Sequence, residues 1–404
     1  VRAALVRGSL GKAPCVGVIA VLAPGQGAQT PGMLSPWLEL DGVAEQLAKY
    51  SDLAKLDLLR LGTTATADEI KDTAVTQPLI VAVGLIAAAR LKFGDIVAAG
   101  HSIGEVTAAA VAGSLSDSDA VAFAARRGAE MAAACAAAPS SMAAVLGGSA
   151  DDVAAAIMSA GLTPANRNGA GQIVAAGAVA GIEDLIANPP PGTRVRPLQV
   201  AGAFHTSFMA SAEQNLRSVA SQLSAADPVQ ILLSNADGTA VTSGATVLAR
   251  LVAQVTRPVR WDLCLSTLKA LGVPAAIELP PAGTLVGIAK RELPDVELLA
   301  IKTPEDISRA QGIIDSHARA AADAAPIDAH LIVSPSQGIF TRAQGIAADG
   351  SVRAGSRVAT VRTNRDEFAV IAPASGRLTE WLKHDGDIVG AGLPVARLST
   401  GVER

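Results

Sequence analysis

The sequence predicts an α/β protein followed by a small all-β module, and three observations carry that reading. From residue 16 to about residue 300, short apolar runs alternate with longer stretches of helical periodicity, the pattern of an α/β domain. Half of the 404 residues are hydrophobic and only 17% are charged, which supports a real core and argues against disorder. From residue 331 the chain turns to short apolar stretches punctuated by glycine, with a weak internal repeat.

Taken in order, residues 1–15 read as a poorly specified extension. Arg2, Arg7 and Lys12 precede an apolar run, which mimics a signal peptide. Pro24-Gly25-Gln26-Gly27 follows where a small-x-small cleavage site would stand, so the run is expected to be a first buried strand. Strands are expected at 18–22, 96–99, 143–146, 173–176, 194–198, 231–234 and 276–278. Helices are expected at 43–48, 77–93, 104–112, 116–137, 151–160 and 181–187, then at 207–223, 245–255 and 263–270. Residues from about 140 to 202 read strand, helix, strand, helix, strand, a small α+β unit inserted in the larger domain. Residues 303–330 are charged and Ala-rich, and read as a helical linker.

The tail, 331–404, reads as two similar halves. Ser334-Pro335-Ser336-Gln337-Gly338 matches Ala372-Pro373-Ala374-Ser375-Gly376, and a glycine-flanked segment at 350–355 matches one at 386–392 with one insertion. Short strands in two related halves suggest a β-sandwich or flattened barrel with pseudo-twofold symmetry.

Composition excludes several function classes. With 33 Lys+Arg against 37 Asp+Glu, the net charge is -4, and only 2% of residues are aromatic. Nucleic-acid binding would need a basic footprint and stacking platforms, and neither is present. The three cysteines, Cys15, Cys135 and Cys264, are too widely spaced for a structural zinc site and suit reduced thiols in the cytoplasm. The uncharged stretch 73–89 contains Thr, Gln77 and Pro78 and is too short and too polar for a membrane span. No metal, no cofactor and no membrane partner is expected.

The strongest chemical signal is Gly100-His101-Ser102-Ile103-Gly104-Glu105. It follows an apolar strand and opens an Ala-rich helix, the setting of a G-x-S-x-G nucleophile elbow. Such a turn lifts the serine Oγ and sets it at a helix N-terminus, where free N–H groups meet developing negative charge. A plain glycine turn with an N-cap serine would share the pattern. The serine needs a base. Of five histidines, His205 in Gly202-Ala203-Phe204-His205-Thr206 comes from a separate segment and can approach Oγ from the front. A capping or core histidine is the bland alternative. Pro24-Gly25-Gln26-Gly27-Ala28-Gln29 lacks the phosphate-loop pattern, but one of its N–H groups could join that of Ile103 in an oxyanion hole.

Together, the GQGxQ, GHSxGE and AFH motifs resemble the malonyl-CoA:acyl carrier protein transacylases of type II fatty-acid synthesis, over residues 16–302. The resemblance implies an α/β-hydrolase-like acyltransferase domain with a ferredoxin-like insertion. It implies a malonyl-serine intermediate on Ser102, with His205 as base and the carbonyl of Gln254 orienting that histidine. Gln26 and Ile103 would supply the oxyanion hole. Arg127 matches the arginine that binds the malonyl carboxylate, with His101, Gln77, Asn166 and Phe204 around the substrate. Malonyl-CoA and holo-acyl carrier protein are the partners implied. Acetyl would leave a buried guanidinium unpaired, at about 3–5 kcal/mol for full burial. Exclusion of a methyl branch by Phe204 is a matter of only about 1–3 kcal/mol. A hydrolase using the same serine is disfavoured by the lack of a triad acid in Ser…Asp…His order. A non-catalytic assembly role stays open for the tail.

That tail resembles biotinyl/lipoyl-like domains, in which a lysine sits on a hairpin turn seven residues before an Ala-Pro pair. Here the pair is Ala372-Pro373 and the position is Arg365, with no lysine between residues 331 and 376. The expectation is a fold kept without its cofactor.

Overall fold

The computed structural model describes residues 17–323, 329–346, 350–363 and 366–399. The extension 1–15 with Cys15, and Arg365, lie outside the described residues. Two compact units divide the chain, Val1–Ala320 and Ala321–Arg404.

The first unit opens with β1 (Ile19–Ala23), α1 (Val43–Ala54), α2 (Leu58–Thr63), α3 (Thr73–Ala88), β2 (Ile96–Gly100), α4 (Gly104–Val111) and α5 (Asp117–Ala137). Next come β3 (Ser140–Gly147), α6 (Ala150–Ser159), β4 (Thr163–Gly169), β5 (Gln172–Ala178), α7 (Val179–Ala187) and β6 (Thr193–Pro197). The chain then forms α8 (Ala210–Ala220), β7 (Ile231–Leu233), β8 (Ala240–Val241), α9 (Gly244–Ala253), β9 (Val259–Arg260) and α10 (Trp261–Leu271). It closes with β10 (Ala275–Glu278), α11 (Thr284–Glu292), β11 (Glu297–Ala300) and α12 (Asp306–Asp323).

The main sheet has six strands in the order β11-β10-β1-β2-β7-β8. Neighbours from β11 to β7 run parallel, and β8 turns back antiparallel. Every residue of β1 and β2 is buried, as expected of central parallel strands covered on both faces. Behind them, α3 is apolar nearly all round and almost wholly buried. The uncharged stretch at 73–89 is therefore a core helix, and no described helix is long and apolar enough to cross a membrane.

A second sheet of five strands, β6-β3-β5-β4-β9, is antiparallel except where β4 meets β9. Helices α6 and α7 cover an apolar layer that includes Val145, Ile157, Ile173 and Ile182.

Among the expectations that the structure corrects, three bear on the site. Between 140 and 202 the order is strand, helix, strand, strand, helix, strand. The strand missed is β4, whose sequence Thr-Pro-Ala-Asn-Arg-Asn-Gly has no apolar alternation to announce it. The helix expected from 77 begins at Thr73, because the Asp72 carboxylate accepts from Ala74 N at 2.9 Å and caps it. The helix expected over 207–223 is one tight turn, Ser207–Met209, followed by α8, which ends at Ala220.

The second unit adds eight strands: β12 (Ala329–Val333), β13 (Gly338–Arg342), β14 (Ser351–Val352), β15 (Arg357–Arg362), β16 (Glu367–Ile371), β17 (Gly376–Trp381), β18 (Ile388–Val389) and β19 (Pro394–Ser399). They form two antiparallel four-stranded sheets, β12-β19-β17-β14 and β16-β15-β13-β18, around Phe340, Val358, Leu378 and Leu398.

Candidate active site

The turn from β2 into α4 holds Ser102. Its glycines are a packing requirement: a Cβ on Gly100 would lie 2.0 Å from the backbone of Gly104, and one on Gly104 would lie 2.1 Å from the carbonyl oxygen of Ala23. Ser102 itself sits at φ 53° and His205 at φ 61°, left-handed conformations that L-residues adopt at a cost. Both strained residues meet at one point. His205 Nε2 stands 2.8 Å from Ser102 Oγ, and His205 Nδ1 stands 2.7 Å from the carbonyl oxygen of Gln254. A carbonyl only accepts, so Nδ1 carries the proton and Nε2 is left to accept from the serine hydroxyl. Burial, aided by the nearby Arg127 charge, pushes the imidazole down to about 3, so it stands neutral and ready as a base.

The loop before α8 is fixed by its own hydrogen bonds. Thr206 Oγ1 donates to Ala203 O at 2.6 Å, and Ala203 N donates to Ser140 Oγ at 3.0 Å. On the elbow, Ser102 N donates to Asn235 Oδ1 at 2.8 Å, and Asn235 Nδ2 donates to Gly100 O at 2.7 Å. The N–H groups of Gln26 and Ile103 donate to no group among the described residues.

Arg127 reaches the serine from α5 and is 1% exposed. Its Nη1 donates to Gln77 Oε1 at 2.7 Å, and Nη2 to Gln254 Oε1 at 2.9 Å and to Ser102 Oγ at 3.4 Å. Nε has no partner among the described residues. Burial draws the guanidinium down to about 10, against the pull of Glu105, so it stays charged at neutral pH. Gln254 Nε2 in turn donates to Glu105 Oε2 at 2.5 Å and to Asn235 Oδ1 at 3.1 Å. Burial pushes the Glu105 carboxyl up to about 7.

In front of the serine lies a cleft of about 250 Å³. Gln26, His101, Ser102, Asn166, Phe204 and His205 all line it. His101 Nε2 donates to Asn168 Oδ1 at 2.8 Å, and the ring packs edge-on against Trp261, with centroids 5.8 Å apart. Burial keeps His101 below the usual histidine range, hence neutral. Gln77 does not line the cleft: it lies behind Arg127, with Nε2 on Met131 Sδ at 3.4 Å. No group of three or more metal-ligating side chains stands together among the described residues.

Three contributors were not assigned a role from sequence. Glu105 gave a signal, a lone carboxylate on an apolar helix. Asn168 stood in a polar run beside Asn166. Asn235 gave none, because its role comes from contacts with residues far away in the chain.

The arrangement can run nucleophilic acyl chemistry: a serine with a neutral histidine, two unpaired N–H groups nearby, and a buried cation beside the nucleophile. Comparison with known proteins agrees. The acyl transferase domain family model matches residues 21–311. The chain is similar to the malonyl CoA-acyl carrier protein transacylase of Mycobacterium tuberculosis H37Rv, 55% identical over 296 residues, covering 72% of this chain and 98% of that protein. The Mycolicibacterium smegmatis transacylase is 54% identical over 287 residues, covering 68% and 98%. Among solved structures, the Mycobacterium tuberculosis MCAT crystal structure superposes with TM-score 0.71 at 54% identity, covering 73% of this chain and 99% of that one. A type II polyketide malonyl-transacylase solved with its holo acyl-carrier protein gives TM-score 0.69 at 26% identity, covering 73% and 99%.

Proposed function

The chain belongs to the acyl transferase domain family, among the malonyl CoA-acyl carrier protein transacylases, and from that premise we propose how its residues work. It is an [acyl-carrier-protein] S-malonyltransferase: it moves malonyl from malonyl-CoA to the phosphopantetheine thiol of holo-acyl carrier protein, supplying fatty-acid chain elongation. The observation that carries the assignment of roles is the Ser102–His205–Gln254 line with Arg127 on the serine.

Ser102 Oγ attacks the thioester carbon while His205 Nε2 takes its proton. The oxyanion of the tetrahedral intermediate is received by the N–H groups of Gln26 and Ile103, each worth roughly 10²–10³ in rate. The C–S bond breaks, and His205 returns the proton to the CoA sulfur. The carrier thiol then attacks malonyl-Ser102 by the same path reversed. Throughout, the Gln254 carbonyl holds the histidine tautomer, the task a carboxylate performs in a Ser-His-Asp triad. Arg127 pairs with the free malonyl carboxylate, and His101, Asn166 and Phe204 bound the acyl group, with Gln77 behind Arg127.

The finer fold reading is part of the proposal. A nucleophile on a strand-to-helix turn of a mostly parallel sheet supports an α/β-hydrolase-like domain over 16–302. The β3-α6-β4-β5-α7-β6 succession with strand order β6-β3-β5-β4 supports a ferredoxin-like insertion at about 140–202. Of the 303–330 segment read as a linker, α12 packs Ala310, Ile313 and Ile314 into the core of the first unit; 331–404 is read as biotinyl/lipoyl-like, supported by its two four-stranded sheets and by the antiparallel pairing of β15 with β16. Intact mass after incubation with a biotin or lipoate ligase tests it: an adduct on this unit overturns the cofactor-free reading. A cytoplasmic location is supported by the free, buried Cys135 and Cys264.

The deciding experiment is intact-protein mass spectrometry with malonyl-CoA. One malonyl on the wild type, none on Ser102→Ala, and discharge by holo-carrier protein are expected. Continuous CoA release without an adduct would make the protein a hydrolase.

A further inference from the structure

We propose that the Gln254 side chain, with Gln77, keeps Arg127 selective for an acidic acyl group by giving the guanidinium neutral oxygens only. This rests on the transacylase reading above, in which Arg127 meets the acyl carboxylate. All three oxygens on Arg127 are uncharged: two glutamine amides and the Ser102 hydroxyl. The nearest buried carboxylate, Glu105, is one residue removed. Gln254 stands between the two, its Oε1 on Arg127 and its Nε2 on Glu105.

The amide cannot turn over. A guanidinium only donates, and the Glu105 oxygen on the other side is an acceptor, since it also receives Asn235 N–H, so one face must present Oε1 and the other Nε2. Asn235 Oδ1 accepts from the same Nε2, and Asn235 N donates to Glu105 Oε2 at 3.2 Å, which pins both ends. A buried cation held by neutral dipoles retains an unmet demand for an anion. A carboxylate at position 254 would meet that demand from within. Glu105 is placed to pair with it as the protonated partner, donating to the new oxygen where it now accepts. Arg127 would then be neutralised before substrate arrives. Position 77 stands in the same relation to Nη1, with the Met131 sulfur rather than a carboxylate on its far side.

The backbone carbonyl of Gln254 orients His205, and substitution of the side chain leaves that carbonyl in the chain. Selectivity and base positioning are therefore separable. The test is competition of malonyl-CoA against acetyl-CoA for the full-length protein, read as the ratio of the two adducts by intact mass. Gln254→Glu is expected to lower the malonyl-to-acetyl ratio at least tenfold, and Gln77→Glu likewise. Gln254→Met, which changes shape without adding charge, is expected to keep the ratio within threefold of wild type. Equal shifts in Gln254→Glu and Gln254→Met, or no shift in either glutamate variant, would overturn the proposal. If Gln254→Glu is recovered only as aggregate, Gln77→Glu decides alone. Arg127→Ala is run alongside. If it also leaves the ratio unmoved, the fault lies in the carboxylate-binding role of Arg127; if it shifts the ratio and the glutamate variants do not, only the spacer role fails.

Discussion

Among the described residues, the buried polar and charged side chains of the first unit include Gln77, Glu105, Arg127, Asn166, Asn168, His205, Asn235 and Gln254, whereas in the second unit only Ser334 is buried. The second unit is filled by Phe340, Val358, Leu378 and their like, and carries its polarity outside. Burying a polar group costs free energy unless it is paired, and burying a charge costs more. The first unit bears much of that cost around Ser102, where the buried groups share partners, and again at Glu278, whose carboxylate accepts from the N–H groups of Gly283, Leu285 and Val286. The contrast separates a fold shaped around chemistry from a fold shaped around packing, and each prediction below tries to break it.

The largest effect belongs to the nucleophile. Ser102→Ala should abolish the acyl-enzyme and lower malonyl transfer by about 10⁵–10⁶-fold, the scale of losing a serine nucleophile in other acyl-transfer enzymes. Steady-state transfer to holo-carrier protein checks it. Next comes Arg127→Ala. Losing one member of a buried charge pair with the substrate costs roughly 2–5 kcal/mol, so malonyl preference over acetyl should fall by about 10²-fold or more. An unchanged ratio in competition would remove Arg127 from carboxylate recognition.

In the second unit the expected effect is on stability alone. Phe340→Ala deletes a fully buried aromatic and should destabilise that unit by about 3–5 kcal/mol. The acylation rate of Ser102 should stay within twofold. Calorimetry together with the malonyl-CoA mass assay reads both numbers on one variant, and a parallel loss of acylation would end the contrast drawn here.

How much of this was legible beforehand follows the same division. The elbow announces itself because its requirements are local: glycines for close approach, an apolar strand before and an Ala-rich helix after. His205 follows from choosing among five histidines the one on a separate segment, whereas Arg127 and the Gln254 carbonyl come only from family resemblance, and the geometry brings all three to the serine. Strand β4 stayed hidden because its inward face is polar: Asn166 and Asn168 point at the cleft and erase the apolar alternation that marks a strand. Asn235 was invisible for another reason. Its partners, Gly100 and Ser102, lie more than a hundred residues away, and a long-range hydrogen bond leaves no trace in local pattern.

The smallest effect concerns pH, and it sharpens the claim that the buried network is tuned for acyl transfer. An ordinary histidine base would give an acid limb in kcat/KM near 6.5, since kcat/KM reports the free enzyme. With His205 drawn down to about 3 by burial and by Arg127, that limb should be absent, and acylation should hold between pH 7 and 5. Histidine stability linkage runs the same way: the folded state resists protonation, so the stability is present above 6.5 and is lost as pH falls toward 3. Glu105 has the opposite sign. Its folded value of about 7 lies above the ordinary 4.5, so its share of stability is full below 4.5 and is lost as pH rises through 7. Glu105→Gln removes that titration. The variant should therefore gain on wild type between pH 5 and 8, by on the order of 3 kcal/mol at most. Thermal denaturation of both proteins across that range gives the difference directly. A difference that stays flat with pH would mean that Glu105 is ionised at all these values, and that the carboxylate lies in a wetter setting than its 5% exposure implies.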